Sequence, residues 1–497
     1  MTAPIPYKGN YFAGRWVRPK RGTELISEDP GDLFHPVGRA IISLDPLAAA
    51  VDAAEKAFVP WAALPMEKRI AKIRLFQKEL KRRSAVLTPL IAREAGKPLA
   101  EAVREVERLI AKADEVLSEG LKLVRGYSVA PSKGLRGECI WRPLGVMAVI
   151  GPFNFPAHTS ASHLIPALVM GNTVIFKPSE YTPFVGQLMT EAAHAAGFPK
   201  GVFNLMQGGS ELGAALVAHP KITGVLFTGS TAAGQAIRES AVAAPQKILA
   251  LEMGGKNAAW VLDNADLDLA AREIATAAYS MSGQRCNATS RVLVHRKVVK
   301  PFLEKFLACV DRVSIGYSLE PVVMGPIISH DAVAKYQNYM KLAREEGFET
   351  LRAGKAPGSW GNRRGYYVTP SVHWCEQPAK NKSARYRREE IFGPDVAVYA
   401  VRGDEEAMAI NNEVPYGLIT AVFTGSRERF RRLLPRIDTG MINWNKGTIF
   451  SSGLLPFGGT KASGSYRPAG LFSPYYCATP TAVLEDSRIL KERNLPF

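Results

Sequence analysis

Val146-Met147-Ala148-Val149-Ile150-Gly151-Pro152-Phe153-Asn154-Phe155-Pro156 is an apolar, β-leaning run that ends in glycine, proline and one side-chain amide. It opens a rhythm. Further apolar runs begin near Thr173, Val202, Gly224 and Ile248, each about a strand, a helix and two turns beyond the last. Between them, Thr182-Pro183 supplies a helix start and Gly197 a stop. Repeated β-α units of this length imply a parallel sheet covered on both faces. Such sheets take nucleotides and other ligands at the carboxyl ends of their strands.

On the N-terminal side, Tyr11 to Val17 predicts short strands around a glycine turn. Pro46 to Ala63 is alanine-rich and helical. Ile70, Ile73, Phe76 and Leu80 recur at helical spacing, and a second long helix runs through Val103, Val106, Leu109 and Ile110 to Leu117. Tyr127 to Arg142 predicts a hairpin that leaves the domain body and needs a partner surface. On the C-terminal side, a second α/β pattern starts at Asn257. Its strands are expected at Val261, Val292–Val294, Thr420–Phe423 and Met441–Asn443. Its helices are expected at Leu267–Met281, Val298–Val313 and Ala332–Glu346, and Tyr475–Leu484 reads as a terminal strand.

The length of 497 residues allows two or three domains, and 46% apolar with 22% charged residues is ordinary for a soluble globular protein. No apolar run reaches the length of a membrane span, and Met1-Thr2-Ala3-Pro4-Ile5 lacks the features of a secretion signal. The five cysteines are scattered without CxxC spacing, which points to a reducing, cytoplasmic setting rather than a disulfide frame. The eight histidines contain no HExxH arrangement, so no catalytic metal is expected. The net charge of +17 lies on helix-like segments such as Lys68–Arg83 and on Lys382–Arg388, without aromatic stacking ladders. A solvated face, with attraction of anionic small molecules, accounts for it better than nucleic-acid binding does.

Three segments carry chemistry. Gly283-Gln284-Arg285-Cys286-Asn287-Ala288 presents a thiol in a stretch too polar for a core strand. Leu251-Glu252-Met253-Gly254-Gly255-Lys256-Asn257 ends an apolar run in a carboxylate, and the opening stretch ends in Asn154. A thiol, a carboxylate and an amide are the parts of a covalent thioester mechanism. Gly229-Ser230-Thr231-Ala232-Ala233-Gly234 is a strand, a glycine turn and a helix start, suited to a pyrophosphate although its spacing is not GxGxxG. Lys177-Pro178-Ser179-Glu180 follows a strand, where lysine and carboxylate can hold ribose hydroxyls and the carboxylate disfavours a 2′-phosphate. Glu390-Ile391-Phe392-Gly393-Pro394 offers a second ribose ligand in Glu390 and a ring in Phe392 to pack near a nicotinamide.

With Pro456-Phe457-Gly458-Gly459 and Ser463-Gly464, these motifs resemble the NAD(P)-dependent aldehyde dehydrogenase superfamily over nearly the whole chain. The resemblance implies an α/β fold with a Rossmann-like cofactor domain (1–122 and 143–253), an α/β catalytic domain (254–440) and a small β oligomerisation element (123–142 and 473–497). A substrate-entrance segment (441–472) completes the division. It also implies catalytic roles for Cys286, Glu252 and Asn154, NAD as cofactor, and a homodimer or homotetramer. Asn443-Trp444-Asn445-Lys446 and Ala462-Ser463-Gly464-Ser465-Tyr466-Arg467-Pro468 resemble the branch that oxidises N-succinylglutamate 5-semialdehyde in arginine catabolism. That likeness puts Ser463, Tyr466, Arg467 and Lys446 at the aldehyde entrance, facing an anionic substrate. The alternatives are a broad aliphatic or fatty aldehyde dehydrogenase and, in a different class, a non-catalytic basic binding protein.

Overall fold

The computed structural model describes residues 5–378 and 383–486. Lys382 of the basic run and residues 487–497 of the expected oligomerisation element lie outside them.

The opening stretch forms the strand Val146–Ile150, third of seven in its sheet and the middle one of five parallel strands. Thr173–Lys177 and Phe203–Leu205 follow on one side, and Ile222–Thr228 and Ile248–Glu252 on the other. All five strands are parallel. The hairpin Asn10–Phe12 and Arg15–Val17 closes one edge in antiparallel sense. Its turn residues Ala13 and Gly14 both have positive φ, the geometry a tight hairpin requires. The order of connection reverses between Val146–Ile150 and Ile222–Thr228, so a ligand crevice opens beyond Ile150 and Thr228.

Side-chain alternation explains why this sheet is buried on both faces. Met147 and Val149 join one core cluster, with Val174, Phe176 and Leu226. Val146, Ala148 and Ile150 join the opposite cluster, with Ile175, Val225 and Phe227. Phe176 is wholly buried immediately before Lys177, so the core fixes the end of that strand and the side chain that leaves it. Truncating such a ring to alanine costs about 3–5 kcal/mol.

A second seven-stranded sheet contains, in order, Glu349–Arg352, Ser371–Cys375, Asp395–Val401, Thr289–His295, Asn257–Val261, Ile419–Phe423 and Met441–Trp444. Only the edge strand Glu349–Arg352 is antiparallel. It too splits its residues: Trp260, Leu293 and Tyr399 go to one cluster, Val261, Val292 and Val398 to the other. The expected helices are Leu267–Tyr279, Val299–Val310 and His330–Glu345. The first stops short of Met281, because Met281 and Ser282 turn left-handed.

The hairpin Tyr127–Val129 and Leu135–Pro143 pairs with Ala478–Asp486 in a separate three-stranded antiparallel sheet. The terminal strand begins three residues later than expected, since Ser473–Cys477 makes one tight helical turn first. Tyr127, Val129, Ile140 and Leu484 stand exposed on this sheet. Among the described residues, no helix is long and apolar enough to cross a membrane.

Candidate active site

Cys286 sits behind an unusual turn. Met281, Ser282 and Gly283 have φ of 55°, 56° and 69°, three left-handed residues in succession. For a residue with a Cβ that conformation costs roughly 1–2 kcal/mol. The surroundings hold it in place. Ser282 Oγ donates to the Gly325 carbonyl at 2.6 Å, and Gln284 Oε1 accepts from Ile328 N–H at 2.9 Å. At Gly283 a Cβ would lie 2.2 Å from the Gly393 carbonyl oxygen, so only glycine fits. Beyond the turn, Asn257 Nδ2 donates to the carbonyls of Cys286 and Ala288, both at 2.8 Å. Asn257 starts a central strand, so the second sheet aims the thiol.

Asn154 leaves the carboxyl end of Val146–Ile150 and reaches the same loop. Its Nδ2 donates to the Gln284 carbonyl at 3.0 Å, and its Oδ1 accepts from Phe155 N–H at 3.1 Å. That leaves one amide N–H of Nδ2 for a ligand. The helix Leu99–Glu115 holds the loop from behind. Glu105 Oε1 accepts from Ala157 and His158 N–H at 2.9 and 3.1 Å, while Oε2 pairs with the buried Lys97. Phe155 lies 4.0 Å from the Lys97 ammonium and 5.2 Å from the Arg285 guanidinium.

Glu252 ends the strand Ile248–Glu252 and is buried. Its Oε1 accepts from Ala469 N–H at 3.3 Å, and its Oε2 has no hydrogen-bond partner. Burial pushes this carboxyl well above the usual carboxylate range. Burial also pushes the Cys286 thiol up, to about 12, with the charges of Glu390 and Glu252 adding to the rise and Arg285 opposing it. A thiol and a carboxyl that each resist ionisation share one enclosure. Both line a cavity of 720 Å³ with Asn154.

The same cavity continues into the crevice of the first sheet. Lys177, Glu180, Gly229 and Ser230 line it there, and Glu390 and Phe392 line it nearer Cys286. Lys177 Nζ and Glu180 Oε2 are 3.6 Å apart, and burial lowers the lysine's proton affinity. Ser230 caps the helix Thr231–Ser240 by accepting from Ala233 N–H at 3.2 Å. Glu390 Oε1 accepts from Gly255 N–H at 2.9 Å, and a Cβ on Gly254 would fall 2.0 Å from that carboxylate. Phe153 packs edge-on against both Tyr181 and Phe392, at 5.8 and 5.9 Å. This arrangement suits a dinucleotide: strand ends, a glycine at the turn, a capped helix start and two carboxylates for ribose hydroxyls.

Five expected residues have other places. Gly234 faces Met253 rather than the cavity; a Cβ there would sit 2.1 Å from the thioether sulfur, so it is a packing glycine. Ser463, Tyr466, Arg467 and Lys446 are not among the cavity's lining residues. Ser463 is buried, accepting from Gly417 N–H at 3.0 Å through Oγ and from Met253 N–H at 2.9 Å through its carbonyl. With Ser465, which accepts from Leu251 N–H at 2.9 Å, it fastens the segment around Glu252. Tyr466 is 72% exposed, and Arg467 is exposed beside it. Lys446 is drawn to Glu273, 2.6 Å away.

The segment 441–472 does reach the cavity, through Ile449, Ser451, Ser452, Gly453 and Phe457. Facing them are Arg108, Lys112 and Glu115, which sequence reading missed. Their only signal was a basic pair four residues apart on the polar side of a strongly amphipathic helix. Among the described residues, no group of three or more His, Cys, Asp or Glu is arranged to hold a metal ion.

Comparison with known proteins agrees with this geometry. The sequence model described as "Aldehyde dehydrogenase family" matches residues 41–477. The chain is 38% identical over 501 residues to N-succinylglutamate 5-semialdehyde dehydrogenase 2 of Caulobacter vibrioides, covering 97% of each chain. It is 37% identical over 489 residues to the N-succinylglutamate 5-semialdehyde dehydrogenase of Klebsiella pneumoniae, covering 98% of this chain and 97% of the relative. Among solved structures, a 1-pyrroline-5-carboxylate dehydrogenase from Thermus with bound NAD superposes with a TM-score of 0.89 at 32% identity, covering 96% of this chain and 92% of that one. The NADP-dependent glyceraldehyde-3-phosphate dehydrogenase of Bacillus halodurans, complexed with NADP, superposes with a TM-score of 0.88 at 29% identity, covering 96% and 99%. A family match across most of the chain, together with a thiol, a carboxyl and an amide around one crevice, places the chain in the aldehyde dehydrogenase family.

Proposed function

We propose that this enzyme oxidises N-succinylglutamate 5-semialdehyde to N-succinylglutamate with NAD, through a thioester on Cys286. The observation that carries the reading is the single cavity lined by Cys286, Glu252 and Asn154 and continuous with a dinucleotide-sized crevice. The choice of aldehyde rests on the names of the relatives that the chain matches over nearly its full length.

Each residue has a task that its surroundings suit. Cys286 sulfur attacks the aldehyde carbon. Its proton goes to Glu252, whose unpartnered oxygen and high proton affinity make it an effective base once ionised. The developing oxyanion takes the remaining Asn154 N–H and the Cys286 backbone N–H. A bound nicotinamide supplies the hydride acceptor. Glu252 passes the thiol's proton to solvent and, again a carboxylate, takes a proton from water as that water attacks the thioester carbonyl. The carbon–sulfur bond breaks, the carboxylic acid leaves, and Cys286 regains its proton.

Glu180 beside Lys177 favours a ribose with a free 2′-hydroxyl, hence NAD over NADP. Cofactor binding falls to 1–122 and 143–253, catalysis to 254–440, substrate entry to 441–472. The three-stranded sheet of 123–142 and 473–486 joins subunits into a dimer or tetramer through its exposed Tyr127, Val129, Ile140 and Leu484. Five cysteines without a disulfide suit a reducing cytoplasm.

The apolar part of the cavity, with Phe153, Phe155, Ile449 and Phe457, supports a second reading, an enzyme for uncharged aliphatic aldehydes. The test is NADH formation with N-succinylglutamate semialdehyde, pyrroline-5-carboxylate and a medium-chain alkanal. The highest kcat/KM is expected for the first. A higher value for the alkanal would replace the proposed substrate with the second reading.

A further inference from the structure

The aldehyde end of the cavity is lined by three cations: Arg108, Lys112 and Arg285. Two of them are neutralised locally. Lys112 pairs with Glu115, and Arg285 donates to Glu101 at 2.6 Å. Arg108 has no ion-pair partner among the described residues. It stands four residues before Lys112 on the helix Leu99–Glu115, so both side chains leave the same helix face toward the cavity. His158, which also lines the cavity, adds no charge. Burial first, then the fields of Lys112, Arg108 and Lys97, hold it well below its ordinary value and so neutral.

The opposite wall is the segment around Gly453. Gly453 lies directly on Glu115: a Cβ there would be 2.1 Å from the Glu115 carboxylate. The chain segment of Gly453 is thereby seated on the helix that bears Arg108. Ser451 and Ser452 line the cavity on the same segment. Arg108 is solvent-exposed where it lines the cavity, so it stands at the mouth, and a planar cation there with no ion-pair partner among the described residues is suited to a carboxylate held by two parallel N–H bonds.

From this arrangement we infer that Arg108 binds a carboxylate of the aldehyde substrate, remote from the carbon that Cys286 attacks. Arg108 is then the residue that separates acidic from uncharged aldehydes. The inference rests on the proposed oxidation of an acidic semialdehyde and assigns the selection of that class to one side chain. No bond is made or broken at Arg108. Its contribution is to binding, and its loss should appear in KM more than in kcat.

The test compares N-succinylglutamate semialdehyde with its dimethyl ester, which has the same skeleton without the two charges. In the wild-type enzyme, kcat/KM should favour the diacid. In Arg108→Gln the diacid-to-diester ratio should fall about tenfold or more, the scale of one lost charge-assisted hydrogen bond, chiefly through a raised KM for the diacid. Arg108→Lys should restore part of the ratio. A wild-type ratio that Arg108→Gln leaves unchanged would overturn the inference while leaving the proposed substrate in place. A wild-type enzyme indifferent to the two charges would overturn the proposed substrate, and the inference with it. Equal losses for diacid and diester, with Arg108→Lys as poor as Arg108→Gln, would mark a structural role and likewise overturn the inference.

Discussion

Arg285 Nη2 donates to Glu101 Oε2 at 2.6 Å, and this ion pair ties the loop of Cys286 to the helix that also steadies Asn154. On the next turn of that helix, Glu105 accepts from the N–H groups of Ala157 and His158. One helix far from both catalytic residues in sequence therefore sets the distance between their loops. A site of this kind needs supporting side chains that are themselves locked, since small displacements of reacting groups carry large rate costs.

The support is most exposed to damage at Glu105. Lys97 and Glu105 are both wholly buried at their side chains. Glu105→Gln leaves a buried ammonium without its counter-charge, which destabilises by about 3–5 kcal/mol. The double variant Lys97→Met with Glu105→Gln should recover a large part of that loss. Denaturant unfolding of the two single variants and the double gives the coupling directly. Additive losses would show that the pair does not act as a unit.

Glu252 sets the acid side of the pH–rate profile. Its carboxyl holds its proton well above the usual range, and only the carboxylate works as a base. Turnover should therefore rise with pH as Glu252 ionises and level off above its pKa. Glu252→Gln should remove that rise and lower kcat about 10²–10⁴-fold. A variant that keeps the wild-type profile would assign the rise to another group.

Gly283→Ala tests the left-handed turn before the nucleophile. The φ of 69° adds strain of roughly 1–2 kcal/mol for any residue with a Cβ. The 2.2 Å approach to the Gly393 carbonyl forces backbone movement as well. Loss of turnover should exceed loss of dinucleotide affinity, because the turn carries Cys286 and not the crevice. Equal losses in steady-state rate and in fluorescence-titrated NAD binding would mean the whole cavity had shifted.

Glu180 decides between the two dinucleotides. Replacing it with glutamine removes the charge that opposes a 2′-phosphate while Lys177 stays 3.6 Å from the position of the lost carboxylate. The ratio of kcat/KM for NAD to that for NADP should fall about tenfold. A wild-type enzyme that uses both cofactors equally would contradict the assignment before any substitution is made.

What sequence revealed and concealed follows from where each residue's information resides. Asn154 is legible because a continuous apolar strand runs into the Gly151-Pro152 loop that bears it, Glu252 because it ends such a strand, and Lys177 because Phe176 before it is core. Cys286 is legible from its polar, glycine-bearing surroundings. The left-handed turn at Met281-Ser282 is not, since neither residue type favours that conformation and tertiary bonds impose it. Ser463 and Gly234 sit in recognisable motifs, yet their work is packing against the Glu252 segment, which only the folded chain shows. Arg108 and Lys112 are hidden for the opposite reason. Helical periodicity reports the buried face of Leu99–Glu115 and is silent on whether its polar face meets solvent or a cavity.

Turnover requires acylation of one sulfur and its release by one carboxylate. Glu252→Gln, held with aldehyde and NAD until NADH formation stops and then quenched in acid, should carry a new mass on the peptide of Cys286 equal to the aldehyde less two hydrogens, with about one NADH formed per chain and formed more slowly than in the wild type, since the thiol has lost its base. NADH formed in that amount with Cys286 unmodified, or with the adduct on Cys139, Cys309, Cys375 or Cys477, would contradict it.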